Sequence, residues 1–336
     1  MKRIMFLILC AACAVFVNAR TWDKDMLGDD FEKVTIDMAD DYSGKVVSTI
    51  VRKKHPDNND KAVLYVHGYN DYYFQKELAD KFIEHGYNFY AVDLRKYGRS
   101  IMPGQTKFEV RDMCEYFADI DSAFSIIKED SIKGGVVLMG HSTGGLTSSY
   151  YMVKGGEQKK MVSALVLNSP FMDMNLSYFL ENIALPVVTT LGGLFPDISI
   201  PKGSSDAYAQ SLLENCHGEW EFDTDWKIPF SPNVTMGWLR AIDDAQSVLQ
   251  KGVNIDVPIL LMRSDKSVYG DVWTPEFNKG DAVLNVDEIS KFGRQLGSKV
   301  QELVVKDGLH DLVLSRKPVR DATYLYIFNW LEKSGM

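Results

Sequence analysis

Gly135-Val136-Val137-Leu138-Met139-Gly140-His141-Ser142-Thr143-Gly144-Gly145 decides how the rest of the chain is read. Gly135–Met139 is a compact apolar run, suited to a strand buried on both faces. The segment Gly144–Val153 can be helical. A serine placed between strand and helix, with glycine two positions to either side, fits a tight and strained turn. Side chains at 140 and 144 would obstruct such a turn, and Gly145 lets the helix pack close to the sheet. The hydroxyl then stands at the positive end of a helix, where charge developing on a reacting oxygen is favoured. Ser142 is the candidate nucleophile, with Gly140 and Gly144 as its elbow.

Outward from this segment, short β-rich runs alternate with helical patterns, as in a mostly parallel sheet with helices on both faces. Lys33–Met38 and Lys45–Arg52 read as an antiparallel pair joined through Asp40–Gly44. Ala62–His67, Phe89–Asp93, Gly135–Met139, Ala164–Asn168, Pro258–Met262 and Val300–Val305 complete eight expected strands. Val110, Met113, Phe117, Ile120, Phe124 and Ile127 recur at helical spacing, a stripe that reads as core. Further helices are expected over Gln75–His85, Val286–Leu296 and Val319–Lys333.

The alternation stops from about Phe171 to Lys251, a stretch too long for a bare loop in a compact domain. A helical cap is expected over 171–251, inserted between core segments 20–170 and 252–336. It holds Tyr178, Phe179, Phe195, Trp220, Phe222, Trp226 and Trp238, which suit either an apolar cleft or a small core of the cap's own.

Residues 1–19 differ in kind. Lys2 and Arg3 precede the apolar run Ile4–Val17, and Val17-Asn18-Ala19 suits a signal-peptidase site after Ala19. The run is short for a membrane span, so a removed signal peptide and a secreted or periplasmic location are expected, with lipid attachment at Cys13 the minor alternative. Cys114 and Cys216 then remain, which permits one bridge without implying it. A net charge of −9 with no basic stripe disfavours nucleic acid as a partner. Cysteine and histidine do not cluster at metal-ligand spacing, and no metal is expected.

A serine nucleophile needs a general base, usually histidine near neutral pH. His310 lies in Asp307-Gly308-Leu309-His310-Asp311, just after the last expected strand and downstream of every candidate acid. His141 is expected to point away from the serine. The acid should follow Pro258–Met262, and both Asp265 and Asp281 qualify, with Asp287 a poorer third that reads as a helix-start residue. The oxyanion would take the backbone N–H of Thr143 and a second from Val66-His67-Gly68-Tyr69-Asn70-Asp71, where Gly68 permits a turn aiming the Tyr69 N–H inward.

His67-Gly68-Tyr69, Asp93-Leu94-Arg95-Lys96-Tyr97-Gly98-Arg99-Ser100 and Gly140–Gly145 match, in order and spacing, the monoacylglycerol lipase and lysophospholipase-like branch of the α/β hydrolases, often grouped with serine aminopeptidases. The resemblance covers roughly Gly44 to the end of the chain. It implies an α/β-hydrolase fold and a Ser-His-Asp serine hydrolase needing no cofactor. Lys96 stands where the branch usually has glycine, and Asp93 reads as structural. Gly280-Asp281-Ala282-Val283-Leu284-Asn285 resembles the branch's Gly-x-Asp-x-x-Val-Asp pattern more than the surroundings of Asp265 do, which favours Asp281. The expected activity is cleavage of small ester or lipid-like substrates. A peptidase acting near an N-terminus is the competing enzyme reading; it would need a cap carboxylate such as Glu214, Glu219 or Glu221 to hold an amine. A non-catalytic binding protein of the same fold is the third reading.

Overall fold

The structure is a computed structural model and describes residues 20–57, 59–174, 180–201 and 205–336. The expected signal segment, Cys13, Tyr178 and Phe179 lie outside the described residues.

The chain order is β1 (Asp23–Asp25), β2 (Gly28–Asp37), β3 (Val47–Lys53), β4 (Lys61–Val66), α1 (Lys76–Glu84), β5 (Tyr87–Asp93), α2 (Glu115–Glu129), β6 (Val136–His141), α3 (Thr143–Lys154) and β7 (Val162–Asn168). Then follow α4 (Leu185–Gly192), β8 (Ser199–Ile200), α5 (Ala207–Leu212), β9 (Val234–Thr235), α6 (Met236–Leu249), β10 (Ile259–Ser264), α7 (Val286–Gly293), β11 (Val300–Val305) and α8 (Lys317–Lys333). One sheet runs in the order β1-β2-β3-β5-β4-β6-β7-β10-β11. Its first three strands pair antiparallel and every pairing from β5 to β11 is parallel. Among the described residues the sheet has nine strands rather than eight. The extra one is the short polar edge strand β1, which carries no apolar run to mark it.

Strand alternation divides the core into two layers. Ala62, Leu64 and Val66 of β4, Val136 and Leu138 of β6, and Leu165 and Leu167 of β7 face one side with α2, α3, α6 and α7. Val63, Tyr65, Val137, Met139, Ala164 and Val166 face the other, against α1 and α8. Helix α2 starts later than its apolar stripe suggests: Glu115 accepts the backbone N–H groups of Arg111 and Asp112, so Val110 and Met113 are buried from a loop.

The stretch 171–251 holds helices and also the small antiparallel pair β8–β9. Its last helix is no outlying part: Trp238, Ala241, Ile242, Ala245 and Leu249 of α6 belong to the main core cluster. Lys96 adopts φ +67°, which accounts for the glycine that resembling sequences carry there. Its fully buried ammonium lies 2.8 Å from Asp41 Oδ2 and 4.1 Å from the centre of the Tyr42 ring. Asp93 accepts from the backbone N–H groups of Tyr73 and Arg99 and from the Arg99 guanidinium, a structural use of a buried carboxylate.

Candidate active site

At the end of β6 the backbone turns sharply into α3. Ser142, between them, has φ 53° and ψ −119°, a conformation costing about 1–3 kcal/mol for a residue with a side chain. Hydrogen bonds hold it there. Its N–H donates to the Asn168 carbonyl at 3.0 Å, and its own carbonyl accepts from Gly145, Leu146 and Phe171. A Cβ on Gly144 would run into the Val66 and His67 carbonyl oxygens, and one on Gly140 into the Gly144 carbonyl.

Asp281 and Asp265 occupy different worlds. Asp281 is fully buried; its Oδ1 accepts the N–H groups of Val283 and Leu284, both at 2.8 Å, and its Oδ2 lies 2.9 Å from His310 Nδ1. An excursion of the chain after β10 returns to place it there, where its backbone pairs with Lys266 and Val268. Asp265 is exposed and accepts the Asp307 N–H at 2.9 Å, pinning a turn. Asp287 stands at the start of α7, where Asn285 accepts its N–H.

The loop after β4 passes directly over Ser142. A Cβ on Gly68 would lie 3.0 Å from the Ser142 Cβ, so only glycine lets this loop come so close. His67 anchors it: Nε2 accepts the Leu94 N–H at 3.0 Å, which leaves the Nδ1 hydrogen for the Gly68 carbonyl at 2.8 Å. Burial pushes the His67 imidazole below its ordinary pKa, consistent with that neutral form. Thr143 is the first residue of α3, whose opening N–H groups have no partner within the helix.

Ser142, Thr143, Tyr69 and His310 line one cleft of about 490 Å³. Phe171, Met174, Ile228 and Trp238 make part of its wall apolar; Tyr208, Lys227 and Asp271 make another part polar. His141 also lines it, contrary to the expectation from strand alternation, and its ring centre is 4.9 Å from that of His310. The cleft lies across the end of β6 rather than on one face of the sheet, so the strand's last residue reaches it. His141 Nδ1 stands 3.4 Å from Asp71 and 3.7 Å from Asp311. These three could bring ligand atoms within 4.8 Å of one another, yet the Lys227 ammonium, 2.7 Å from Asp71, already supplies positive charge there.

The other histidines and the other residues singled out in the sequence fall elsewhere. His55 accepts a backbone N–H from Asp57, His85 stacks on Phe328, and His217 stacks on Trp273. Cys114 and Cys216 are exposed and unpaired. Trp220 and Trp226 pack in a small cluster around Tyr72 and Phe74, while Phe222 and Trp238 line the cleft and Phe195 is exposed. Glu214 and Glu221 are exposed, and Glu219 is engaged by Arg316 and Arg320. Among the described residues, no helix is long and apolar enough to cross a membrane.

Clefts at the carboxyl edge of a parallel sheet are where open α/β folds bind their ligands, and this sheet with its antiparallel opening strands is that of the α/β hydrolases. The chain belongs to the serine aminopeptidase S33 family of hydrolases, whose family model matches residues 57–315. No curated protein matches it in sequence. Among solved structures it is similar to a soluble variant of monoglyceride lipase from Saccharomyces cerevisiae, crystallised with a substrate analogue. That match has TM-score 0.63 and 17% identity over 90% of this chain and 96% of the other. It is also similar to a thermostable carboxyl esterase from Bacillus coagulans in complex with glycerol, with TM-score 0.61 and 15% identity over 90% and 98%. A monoacylglycerol lipase from Paleococcus ferrophilus gives TM-score 0.59 and 16% identity over 90% and 99%.

Proposed function

We propose that this chain hydrolyses carboxylic esters through an acyl-enzyme formed on Ser142. The observation that carries the reading is the 2.9 Å contact between buried Asp281 and His310, which lines the same cleft as the strained Ser142 turn. Asp281 holds the hydrogen on Nδ1, which leaves Nε2 to accept the serine proton. Ser142 Oγ bonds to the ester carbonyl carbon as His310 takes its proton. The resulting oxyanion is held by the Tyr69 and Thr143 backbone N–H groups. Collapse breaks the bond to the alcohol oxygen, which leaves with the proton from His310. Water, deprotonated by His310, then attacks the acyl carbon; the acid departs and Ser142 regains its proton. No cofactor enters these steps.

Phe171, Met174 and Trp238 favour an apolar acyl or aryl group, so a lipid-like ester is the substrate class proposed. The monoglyceride lipase and esterase likenesses support the same class. Residues 171–251 are proposed to act as the insertion that shapes this cleft. Residues 1–19 are proposed to direct export and to be removed after Ala19. Turnover of short- and long-chain p-nitrophenyl esters, set against aminoacyl anilides, tests the activity. Ester hydrolysis together with fluorophosphonate labelling at Ser142 is expected. Preference for the anilides would transfer the reading to a peptidase, and absence of any Ser142 adduct would favour a binding protein.

A further inference from the structure

The loop after β4 and the segment 223–233 are joined residue by residue. The Tyr69 hydroxyl donates to the Asn233 carbonyl at 3.2 Å. Asn70 makes a reciprocal pair with Ile228, donating to its carbonyl at 2.7 Å and accepting its N–H at 2.8 Å. Asp71 accepts from the Lys227 ammonium at 2.7 Å, and the Tyr72 hydroxyl accepts the Asp223 N–H at 2.8 Å. Trp226 stands edge-on to the Tyr72 ring at 5.1 Å. Four consecutive residues of one loop thus each grip the same passing strap.

Asp71 and Lys227 are the buried pair in this row, at 1% and 7% exposure. Burial alone would raise the Asp71 pKa, but Lys227 and then His141 hold it below the ordinary carboxylate value, so Asp71 is charged at neutral pH. Its second oxygen faces His141, the residue before Ser142. Across His141 lies Asp311, the residue after His310, held by the Asn168 and Gln75 side-chain amides. Asn168 also accepts the Ser142 N–H through its backbone carbonyl. The nucleophile, the base and the oxyanion loop each send an adjacent or near-adjacent residue into one buried polar cluster, and Lys227 ties that cluster to the strap.

We propose that Lys227, Asp71 and Asn70 are positioning residues through which the strap 223–233 sets the oxyanion loop over Ser142. The inference rests on the ester-hydrolase reading for its chemistry. The loop runs so close to Ser142 that a Cβ on Gly68 would meet the Ser142 Cβ at 3.0 Å, so a loop released by a fraction of an ångström carries the Tyr69 N–H off the oxyanion. An oxyanion donor acts on the transition state more than on the bound substrate, so its displacement lowers kcat and leaves KM.

The test compares the full chain with Lys227→Met, Lys227→Arg, Asn70→Ala and the double variant Lys227→Met/Asn70→Ala. Four quantities are read: kcat and KM on a short p-nitrophenyl ester, the rate of fluorophosphonate labelling, and thermal stability. The expected result is a fall in kcat of about 10- to 100-fold for Lys227→Met and Asn70→Ala, with KM within about threefold and the protein folded at the assay temperature. Lys227→Arg recovers most of the loss, and the double variant loses less than the product of the singles. Two results overturn the proposal: an unchanged kcat with only a lowered melting temperature, or a raised KM at constant kcat, which would make Lys227 a substrate-binding group. If the wild-type chain cleaves no ester yet is labelled at Ser142, the ester reading fails, and the relative labelling rates still decide the positioning role. A wild-type chain that is not labelled overturns both.

Discussion

Ser142 lines the cleft and Asp281 lies buried against His310 beside it, and the two arrive by opposite routes. Ser142 arrives through local geometry: a strand ends, the backbone takes a strained turn, and a helix begins within a few residues. Asp281 arrives through tertiary geometry. The chain leaves β10 at Ser264, runs outward past exposed Tyr269 and Val272, and returns so that Asp281 pairs with the backbone of Lys266 and Val268. A local device is written in adjacent residues and tolerates no insertion. A returning excursion can change length freely, provided its end is caught by backbone bonds.

Replacing Ser142 by Ala gives the largest expected effect on the local side. Ester turnover should fall on the order of 10⁴-fold or more while the melting temperature stays close to wild type. Substantial turnover in Ser142→Ala would show that the elbow serves only the fold. On the excursion side, Asp281→Asn should lower kcat by about 10³- to 10⁴-fold, because an amide in place of the carboxylate no longer fixes the His310 tautomer or stabilises its imidazolium. The smallest effect separates the two aspartates. Asp265→Asn should leave kcat within about twofold and cost on the order of 1 kcal/mol in denaturant unfolding, through its single turn bond to Asp307. Reversed outcomes for the two Asn variants would place the functional carboxylate at the strand end and make the excursion ornamental.

Legibility in the sequence follows the same division. The parallel strands and the helices α1 and α8 could be read because apolar runs and stripes mark them within about two residues. The Gly-x-Ser-x-Gly turn and the His67-Gly68 loop were legible because their constraints act between neighbours. The choice between Asp265 and Asp281 was open on spacing alone, since both follow β10; what distinguishes them is burial and the Val283 and Leu284 N–H groups, which no spacing reveals. The stretch 171–251 was least legible. Its described aromatics are spent in three ways, in the Tyr72 cluster, in the cleft wall and at the surface, and α6 joins the main core through a face that reads no differently from a cap helix. The cluster of Asp71, His141, Lys227 and Asp311 left no signal at all, because four separate segments assemble it.

Lys96 carries a consequence for how this chain can change. Its left-handed backbone is one that glycine would adopt without strain, so the side chain is kept against local preference. Removing it would strand Asp41 without its cation; removing Asp41 would leave a fully buried ammonium without its close carboxylate partner. Neither position can drift alone. The two positions are therefore coupled: changing either alone leaves a buried charge without its partner, whereas changing both removes the pair together.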